Sequence, residues 1–210
     1  MTGDFRKRNI EVRYWIEHVT LVGTYYDLVT ASIDCAATAS IGTSGNGSAD
    51  PDSHYPLPGS VVYCALRKPP YNEELSDIKK RLRHAGDVRL IQDCSANQET
   101  VRQVREYLAG QRRDFGLRLT LCGTAFQQAV WQELLKIPYG ITKSYEDIAQ
   151  AVGSPRGARA VGMANNRNPV SLIVPCHRVI GKNGQLVGYG GGLDIKTRLL
   201  NLENKNSGNF

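Results

Sequence analysis

Cys176 and His177 are the neighbours in this 210-residue chain whose side chains could do covalent chemistry together. A thiolate is the reactive form of cysteine, and an adjacent imidazole or guanidinium promotes it by accepting the proton or by stabilising the anion. The apolar run 170–174 and Pro175 precede the thiol, and Arg178 follows, which predicts a buried strand that ends by presenting Cys176 to a pocket. Because adjacent side chains of an extended chain point in opposite directions, a contact between Cys176 and His177 needs a turn or a bridging water.

The remaining cysteines indicate a reducing environment. The five cysteines form an odd set without a CxxC pair, which argues against a disulfide framework and against a ribbon-type zinc site. No run approaches the roughly 18 apolar residues of a membrane span, and the charged N-terminus is unlike a signal peptide. The sequence therefore predicts an intracellular protein that does not cross a membrane. We expect the other four cysteines to be small buried residues, namely Cys35, Cys64, Cys94 and Cys122.

The net charge of +6 is unevenly distributed along the chain. No acidic residue occurs between Asp147 and Asp194, and that interval contains Arg156, Arg159, Arg167, Arg178 and Lys182. A basic stretch of this kind favours a polyanionic partner. An ordinary solvated basic face would give the same composition.

Helix and strand signals in the second half place the basic stretch on a pair of short helices. Alternating leucines over 117–121 predict a strand, and Thr124 predicts the N-cap of a helix that ends near Pro138. Ser144 with Asp147 predicts a capping box for a short helix through Val152.

A second short helix is predicted over Pro155–Asn166, with Ser154 as its cap. Only a Gly-Ser-Pro turn separates it from the helix that ends at Val152, and it carries Arg156 and Arg159. Two short helices joined in this way form a helix-turn-helix candidate.

The first half has the pattern of an α/β domain. A long segment rich in Ala, Ser, Gly and Pro, Ala36–Ser60, predicts a mobile loop inside this domain. Strands are predicted at Ile10–Ile16, Val19–Thr30, Val61–Leu66 and Val88–Ile91, and helices at Glu73–His84 and Asn97–Ala109 with Gly110 after the last turn.

Six blocks between residues 116 and 203 share the order and nearly the spacing of one known family. They are GTAFQQAVW at 123–131, Ser144-Tyr145, ARAVG at 158–162, Asn168-Pro169, PCHRV at 175–179 and GYGGG at 188–192, followed by Lys196, Leu199, Leu200 and Glu203. Together they resemble the methylated-DNA–protein-cysteine methyltransferases, the O6-alkylguanine-DNA alkyltransferases. The first half matches that family only in coarse pattern.

The resemblance implies both a fold and a function. The fold is an α/β domain of the ribonuclease-H-like kind at 1–115, followed by a mostly helical DNA-binding domain with a helix-turn-helix at 116–210. The function is DNA repair by irreversible, single-turnover transfer of an alkyl group from O6-alkylguanine, and from O4-alkylthymine, to the protein's own cysteine. The partner is double-stranded DNA that contains the lesion, no cofactor or metal is needed, and the protein is a monomer. Its location is the nucleus in a eukaryote and the cytoplasm in a prokaryote.

The same resemblance assigns roles to the residues of the site. Cys176 is the nucleophile, and His177 takes its proton through an ordered water. Glu203 holds the far side of the imidazole, Asn168 fixes the turn that brings the pieces together, and Tyr145 donates a hydrogen bond to the leaving guanine. The substrate pocket is lined by Tyr145, Val179, Tyr189 and Gly190. Family members can carry a serine at the position of Gly190, so this chain lacks that hydroxyl.

For DNA binding, the resemblance places the second short helix in the minor groove. Arg159 enters the base stack in place of the extruded nucleotide, as expected for an enzyme that flips its target base. Phosphate contacts come from Arg156 and Lys182. The helix approaches the groove closely through three small residues, Ala158, Ala160 and Gly162.

Three other functions fit parts of the same sequence. Cys, His and Glu could form a thiol hydrolase, although such a site normally takes its histidine from elsewhere in the chain. A helix-turn-helix regulator without catalysis is the stronger alternative, and a lesion binder without repair activity is a third. A zinc site in the first half is not expected, because His18, His54 and His84 have no recognisable ligand spacing with the cysteines.

Overall fold

The computed structural model describes residues 9–21, 24–33, 60–67, 76–82 and 87–208, and it is a mixed α/β protein. The predicted loop at 36–60 lies outside the described residues except for Ser60, and so does Cys35. The elements in chain order are β1 (Asn9–Leu21), β2 (Thr24–Ile33), β3 (Val61–Arg67), α1 (Ser76–Leu82), β4 (Asp87–Gln92), α2 (Gln98–Leu108), α3 (Ala125–Leu135), β5 (Lys143–Ser144), α4 (Tyr145–Ala151), α5 (Ala158–Asn166), β6 (Val179–Ile180) and α6 (Leu193–Ser207).

The first half forms a four-stranded sheet with the order β3-β2-β1-β4. β1 is antiparallel to β2 and β2 to β3, whereas β4 lies parallel to β1. The predicted break between Ile16 and Val19 is wrong, because β1 continues to Leu21, which pairs with Thr24 at the start of β2. The β-branched and aromatic residues of β1 suit one long strand, which pairs with β4 up to Tyr14 and with β2 from Val12 to Leu21. The predicted single strand Val19–Thr30 is also wrong, because β1 ends at Leu21 and β2 begins at Thr24.

The helices of the first half follow their predicted positions. α1 occupies Ser76–Leu82 of the predicted Glu73–His84, whose ends lie outside the described residues. α2 occupies nearly all of Asn97–Ala109, and Gly110 follows it with φ +75°, the left-handed conformation that glycine adopts most readily.

Capping boxes set the starts of two helices in the second half. The Thr124 side chain accepts a hydrogen bond from the backbone of Gln127, and the Gln127 side chain returns one to Thr124, as in a capping box. Ser144 and Asp147 make the same reciprocal pair at the start of α4. Both helix starts are therefore confirmed, because each signal is complete within four residues of sequence.

Two predicted strands of the second half are wrong, and one predicted helix is confirmed with a later start. The leucines at 117–121 form no strand and only a single bridge, between Leu119 and Val61. α5 begins at Ala158 rather than Pro155, because the Ser154 carbonyl accepts a hydrogen bond from the Gly157 amide and closes a tight turn first. The apolar run 170–174 is a series of turns rather than a strand.

One apolar cluster joins the two halves of the chain. Leu28 and Leu66 from the sheet and Val104 from α2 belong to the same buried cluster as Trp131 and Leu199 of the helical half. Burial of these side chains is the main source of stability at this junction. A second cluster covers the sheet on the side of α1. Within the described part of the chain, none of the helices combines the length and the apolar character needed to cross a membrane.

Candidate active site

Asn168 holds the turn that leads to the cysteine. Its side-chain amide donates a hydrogen bond to the Val174 carbonyl at 2.9 Å, and its side-chain oxygen accepts one from the Val170 amide at 3.0 Å. The Cys64 amide of β3 donates to the Pro169 carbonyl at 3.0 Å, which fixes the same turn to the sheet. A polar side chain that is buried with its hydrogen bonds satisfied rigidifies its surroundings, so Cys176 emerges from a fixed support.

Cys176 is buried and protonated in its resting state. Its side chain is 4% exposed, and its Sγ donates a weak hydrogen bond to the Ser171 carbonyl at 3.5 Å. Burial raises the pKa of the Cys176 thiol to about 11, and the Asn168 side chain and the Lys196 ammonium oppose the shift only in part. With that pKa, about one molecule in 10,000 carries a thiolate at pH 7. The sulfur therefore needs a base to become a nucleophile.

His177, the next residue in the chain, is the predicted base. A single 3-10 turn over Cys176–Arg178, not an extended chain, carries the two neighbours. The imidazole is fully buried, with its Nε2 atom 2.9 Å from Oε1 of Glu203. A carboxylate can only accept, so the ring proton lies on Nε2 and Nδ1 is free to take a proton. Nδ1 is buried and has no hydrogen-bond partner among the described residues. Burial lowers the pKa of His177, opposed by Glu203, so the ring is neutral at rest.

Glu203 is the centre of a buried charge network. It lies on α6 with no exposed surface, although a glutamate near a helix end is usually solvated. Arg178 donates to both of its oxygens at 2.9–3.1 Å, the Gly140 amide donates at 3.0 Å, and the Tyr107 hydroxyl donates at 2.5 Å. Burial by itself raises the pKa of Glu203, but the hydrogen bonds and charges of His177 and Arg178 outweigh it and hold the pKa well below its usual range. The carboxylate is therefore ionised.

Two tyrosines flank the thiol on the other side. The Tyr145 hydroxyl donates to the Val187 carbonyl at 3.0 Å, and the Tyr189 hydroxyl donates to the Ser171 carbonyl at 3.3 Å. Burial raises the pKa of both hydroxyls, and the nearby Cys176 sulfur adds to the shift, so both remain hydrogen-bond donors. The sulfur is therefore close to two phenols, and the histidine of the histidine–carboxylate pair is its neighbour in the chain.

Gly190 and Val179 complete the predicted pocket. Gly190 is exposed, its carbonyl accepts a hydrogen bond from Arg67 of β3 at 3.3 Å, and a Cβ atom at this position would have no neighbour closer than 3.8 Å. Val179 is fully buried in β6, and its carbonyl accepts a hydrogen bond from Lys196.

The residues predicted to contact DNA lie on and beside α5. Arg156 and Arg159 are exposed, whereas the three small residues of this helix are half-buried: Ala158, Ala160 and Gly162. A Cβ atom on Gly162 would come to 3.8 Å from the Tyr145 ring, so this helix packs against Tyr145. The predicted phosphate contact Lys182 forms an exposed ion pair with Glu146 at 2.7 Å.

Comparison with known proteins assigns the chain to a family. The family model described as "6-O-methylguanine DNA methyltransferase, DNA binding domain" matches residues 125–205. A methylated-DNA–protein-cysteine methyltransferase of Mycobacterium leprae is 62% identical over 105 residues, which are 50% of this chain and 64% of that protein. The methylated-DNA–protein-cysteine methyltransferase of Methanosarcina barkeri is 49% identical over 128 residues, 61% of this chain and 80% of that protein. A crystal structure of Mycobacterium tuberculosis OGT in complex with DNA has a TM-score of 0.66 at 34% identity, covering 92% of this chain and 94% of that one.

The chain belongs to the methylated-DNA–protein-cysteine methyltransferase family. The residues that surround the thiol in this methyltransferase fold come mainly from the matched range 125–205, which includes Asn168, Cys176, His177 and Glu203. Tyr107 of α2 and, on β3, Cys64 and Arg67 contribute contacts from outside that range.

Three polar residues of the site make contacts that the sequence did not predict: Arg178 was named only as a possible promoter of the thiolate, Lys196 only as part of the family pattern, and Tyr107 not at all. Lys196 is fully buried and donates to the carbonyls of Val179 at 2.6 Å and Val187 at 3.0 Å, so it ties the pocket segment to β6. Arg178 pairs with Glu203, and Tyr107 contacts both Glu203 and His177. Nothing in the sequence marks Tyr107.

The other cysteines divide into two groups. Cys64 and Cys122 are buried and burial raises the pKa of each thiol to about 12, as expected of inert residues. Cys94 is exposed, so the prediction that it is buried is wrong, because it lies in the turn after β4 rather than in the strand. In the described ranges, no group of three or more His, Cys, Asp or Glu side chains is arranged to hold a metal ion.

Proposed function

We propose that this chain repairs DNA by transferring an alkyl group from O6-alkylguanine to its own Cys176. The observation that carries the proposal is the buried thiol beside an imidazole whose far nitrogen is bonded to a buried carboxylate. Membership of the methylated-DNA–protein-cysteine methyltransferase family supplies the reaction class. Among the cysteines that the structure describes, Cys176 alone has a histidine as its chain neighbour.

The transfer is a displacement at the alkyl carbon. The Sγ–H proton passes to Nδ1 of His177 through a bridging water, and the sulfur lone pair forms a bond to the alkyl carbon. The bond between that carbon and O6 breaks, and its electron pair stays on the guanine. The guanine anion then takes a proton from water, and the His177 imidazolium returns its proton to water. The products are unmodified guanine and an S-alkyl cysteine. A thioether is not a substrate for thiol–disulfide exchange, so the chain reacts once.

The pKa shifts of Cys176 and His177 support a proton transfer that accompanies the displacement. The pKa of Cys176 is raised to about 11 and the pKa of His177 is lowered, so a thiolate–imidazolium pair is unfavourable at rest. Glu203 stabilises the imidazolium once it forms, as the third member of a catalytic triad does. The sulfur thus loses its proton only when an alkyl carbon is in place to accept the sulfur's electron pair.

We propose that the pocket binds the flipped base between Tyr145 and the segment at 188–192, with Val179 on the floor. Tyr145 would donate its hydrogen bond to the leaving guanine. In the structure that hydroxyl is bonded to the Val187 carbonyl, so it must exchange partners when the base enters. With Gly190 in place of a serine, the backbone N–H of this residue is the remaining donor at that point of the pocket.

DNA binding is proposed for α4 and α5 as a helix-turn-helix. The two helices pack against each other and are joined by residues 152–157. Arg159, in the first turn of α5, would replace the extruded nucleotide in the stack, while Arg156 and Lys182 would contact phosphates. The ion pair between Lys182 and Glu146 lies at the surface, where such pairs contribute little to stability. Breaking this pair so that Lys182 can contact a phosphate therefore costs little free energy.

The finer features of the fold and partner are proposals of the same kind. A ribonuclease-H-like first half is supported by three antiparallel strands followed by a helix and a fourth strand parallel to the first. The predicted boundary at 115/116 falls between α2 and α3. We propose a monomer that acts on double-stranded DNA, with O4-alkylthymine as a second lesion.

Mass spectrometry of the reacted protein tests the proposal. Purified protein is mixed with duplex DNA that contains one O6-methylguanine, and intact and peptide masses are measured. We expect one methyl group per chain on the Cys176 peptide and recovery of guanine in the DNA. The Cys176→Ala variant should gain no mass, whereas Cys94→Ala, which removes an exposed thiol, should react like the wild type. Lesion binding without methylation would instead indicate a damage sensor or a regulator.

A further inference from the structure

We propose that Tyr107 is a positioning residue of the alkyl-transfer site, whose hydroxyl fixes the His177 imidazole and the Glu203 carboxylate relative to each other. The inference rests on the proposed function. Tyr107 belongs to α2, on the N-terminal side of the predicted boundary at 115/116 and before the matched range 125–205. The first half of the chain thereby contributes to the chemistry as well as to the core.

The hydroxyl of Tyr107 completes a triangle with the two relay groups. It lies 2.5 Å from Oε1 of Glu203 and 3.2 Å from Nε2 of His177, and those two atoms are 2.9 Å apart. The hydroxyl donates to the carboxylate, so its oxygen faces the Nε2–H proton as a second acceptor. Burial raises the pKa of Tyr107 well above its ordinary value, and the Glu203 charge adds to the shift, so the hydroxyl keeps its proton.

Arg178 competes with His177 for the same carboxylate. Its guanidinium donates to both oxygens of Glu203, at 3.0 Å to Oε2 and at 2.9 Å to Oε1. This is the two-pronged pairing that arginine and carboxylate prefer, and Oε1 accepts from His177 and Tyr107 as well as from Arg178. The Tyr107 hydroxyl holds Oε1 on the histidine side. It thereby keeps the proton on Nε2 and leaves Nδ1 as the base.

The ring of Tyr107 is held firmly enough to do this. It is completely buried, packs against Phe115 with ring centres 5.2 Å apart and meets Tyr139 edge-on at 5.9 Å. The residue also sits in the last turn of α2, so its backbone is fixed by the helix. A phenylalanine at position 107 keeps this packing and removes only the oxygen.

The test compares Tyr107→Phe with a matched control, Tyr139→Phe, which removes a neighbouring hydroxyl that has no hydrogen bond to Glu203 or His177. Single-turnover rates are measured at saturation with two substrates, the O6-methylguanine duplex and the free base O6-benzylguanine. We expect Tyr107→Phe to slow transfer about tenfold with both substrates, the effect of losing one hydrogen bond to a charged group. Tyr139→Phe should stay within about twofold of the wild type on the same scale.

Two further measurements separate positioning from a merely structural role. Affinity for the lesion duplex, measured in a Cys176→Ala background that cannot react, should be unchanged by Tyr107→Phe. Glu203→Asp keeps a negative charge beside Arg178, but its carboxylate is one methylene further from the Tyr107 hydroxyl. In the Glu203→Asp protein, Tyr107→Phe should therefore have no further effect on the transfer rate. Such non-additivity is the signature of residues that act through one network.

Nitrogen-15 NMR of histidine-labelled wild-type protein gives a readout that needs no folded tyrosine variant. His177, assigned by its loss in His177→Gln, should be neutral with its proton on Nε2. The proposal is overturned by a proton on Nδ1, by a Tyr107→Phe rate within twofold of the wild type, or by a loss that persists undiminished beside Glu203→Asp. If the wild-type chain itself transfers no alkyl group to Cys176, the proposed function fails and this inference with it.

Discussion

Replacing Glu203 by glutamine should destabilise the protein severely, because it breaks a buried ion pair while preserving shape. The Glu203 side chain is 1% exposed and that of Arg178 is 9% exposed, so neither charge is screened by water. Removing one partner of such a pair costs about 3–5 kcal/mol, since the other charge remains buried without compensation. The amide keeps one acceptor oxygen for some of the donors, so we expect a loss near the lower end, about 3 kcal/mol. That corresponds to a fall in Tm of about 6–12 °C for a chain of this size.

Urea unfolding followed by the fluorescence of the buried Trp131 measures this loss. The matched control is Glu146→Gln, because Glu146 is 44% exposed and its partner Lys182 is 76% exposed. Its loss should stay below about 1 kcal/mol. If the free energy of unfolding at pH 7 differs by less than about 1 kcal/mol between Glu203→Gln and the wild type, the buried network is not the source of stability.

The pH dependence of the same difference provides a second check. The folded-state pKa of Glu203 lies below its ordinary value, so its contribution to stability is present at neutral pH and is lost as the pH falls. Glutamine does not titrate. The gap between the wild type and Glu203→Gln should therefore be constant above about pH 5 and should narrow below about pH 4.3, the ordinary value for glutamate. A gap that stays the same down to pH 3 would contradict the assignment.

Three other predictions follow from the site and the DNA face. The pKa of Cys176 is raised to about 11, so the rate of its alkylation by iodoacetamide should increase about tenfold per pH unit from pH 7 to 10. The rate is measured from the mass of the Cys176 peptide, and the peptide of the exposed Cys94 is followed in the same samples for comparison. A pH-independent rate would contradict a neutral resting thiol. Lys196→Met removes both hydrogen bonds that tie Val187 to β6, so amide exchange in residues 185–192 should accelerate and alkyl transfer should slow; unchanged exchange would exclude the tether. Arg159→Ala should weaken transfer from the O6-methylguanine duplex at least tenfold and leave transfer from free O6-benzylguanine unchanged, whereas equal losses on both substrates would argue against a role on DNA.

Local signals in the sequence located the helices that frame the site. The capping boxes at Thr124 and Ser144 are complete within a few residues, so no distant contact is needed to read them. The start of α5 was missed because Ser154 and Pro155 fit a helix cap and a tight turn equally well. The turn forms because the Gly157 amide reaches the Ser154 carbonyl at 2.7 Å.

The support of Cys176 could not be predicted from local pattern. The run 170–174 has the apolar composition of a strand, but the Asn168 side chain and the bond between Cys64 and Pro169 fold it into turns. The Asn168 bonds are short-range side-chain contacts, and the bond between Cys64 and Pro169 joins residues more than a hundred positions apart in sequence. Hydrophobic periodicity carries no information about either kind of contact.

The same limit applies to Glu203. The family pattern identified Glu203 as a site residue. Its complete burial depends on hydrogen bonds from three separate segments of the chain, donated by Tyr107, Gly140 and Arg178. Family resemblance supplied the candidate residues, and the tertiary contacts decide which of them are linked.

The burial of Cys176 also bears on how long a molecule stays useful before it meets a lesion. A protein that reacts once resembles a stored reagent, and the usual fate of a reactive thiol in a cell is oxidation. Oxidants attack thiolates that are accessible, whereas this sulfur is 4% exposed and neutral, and Cys94 on the surface is the easier target. The burial that makes the thiol slow in isolation is what preserves it until a flipped base arrives.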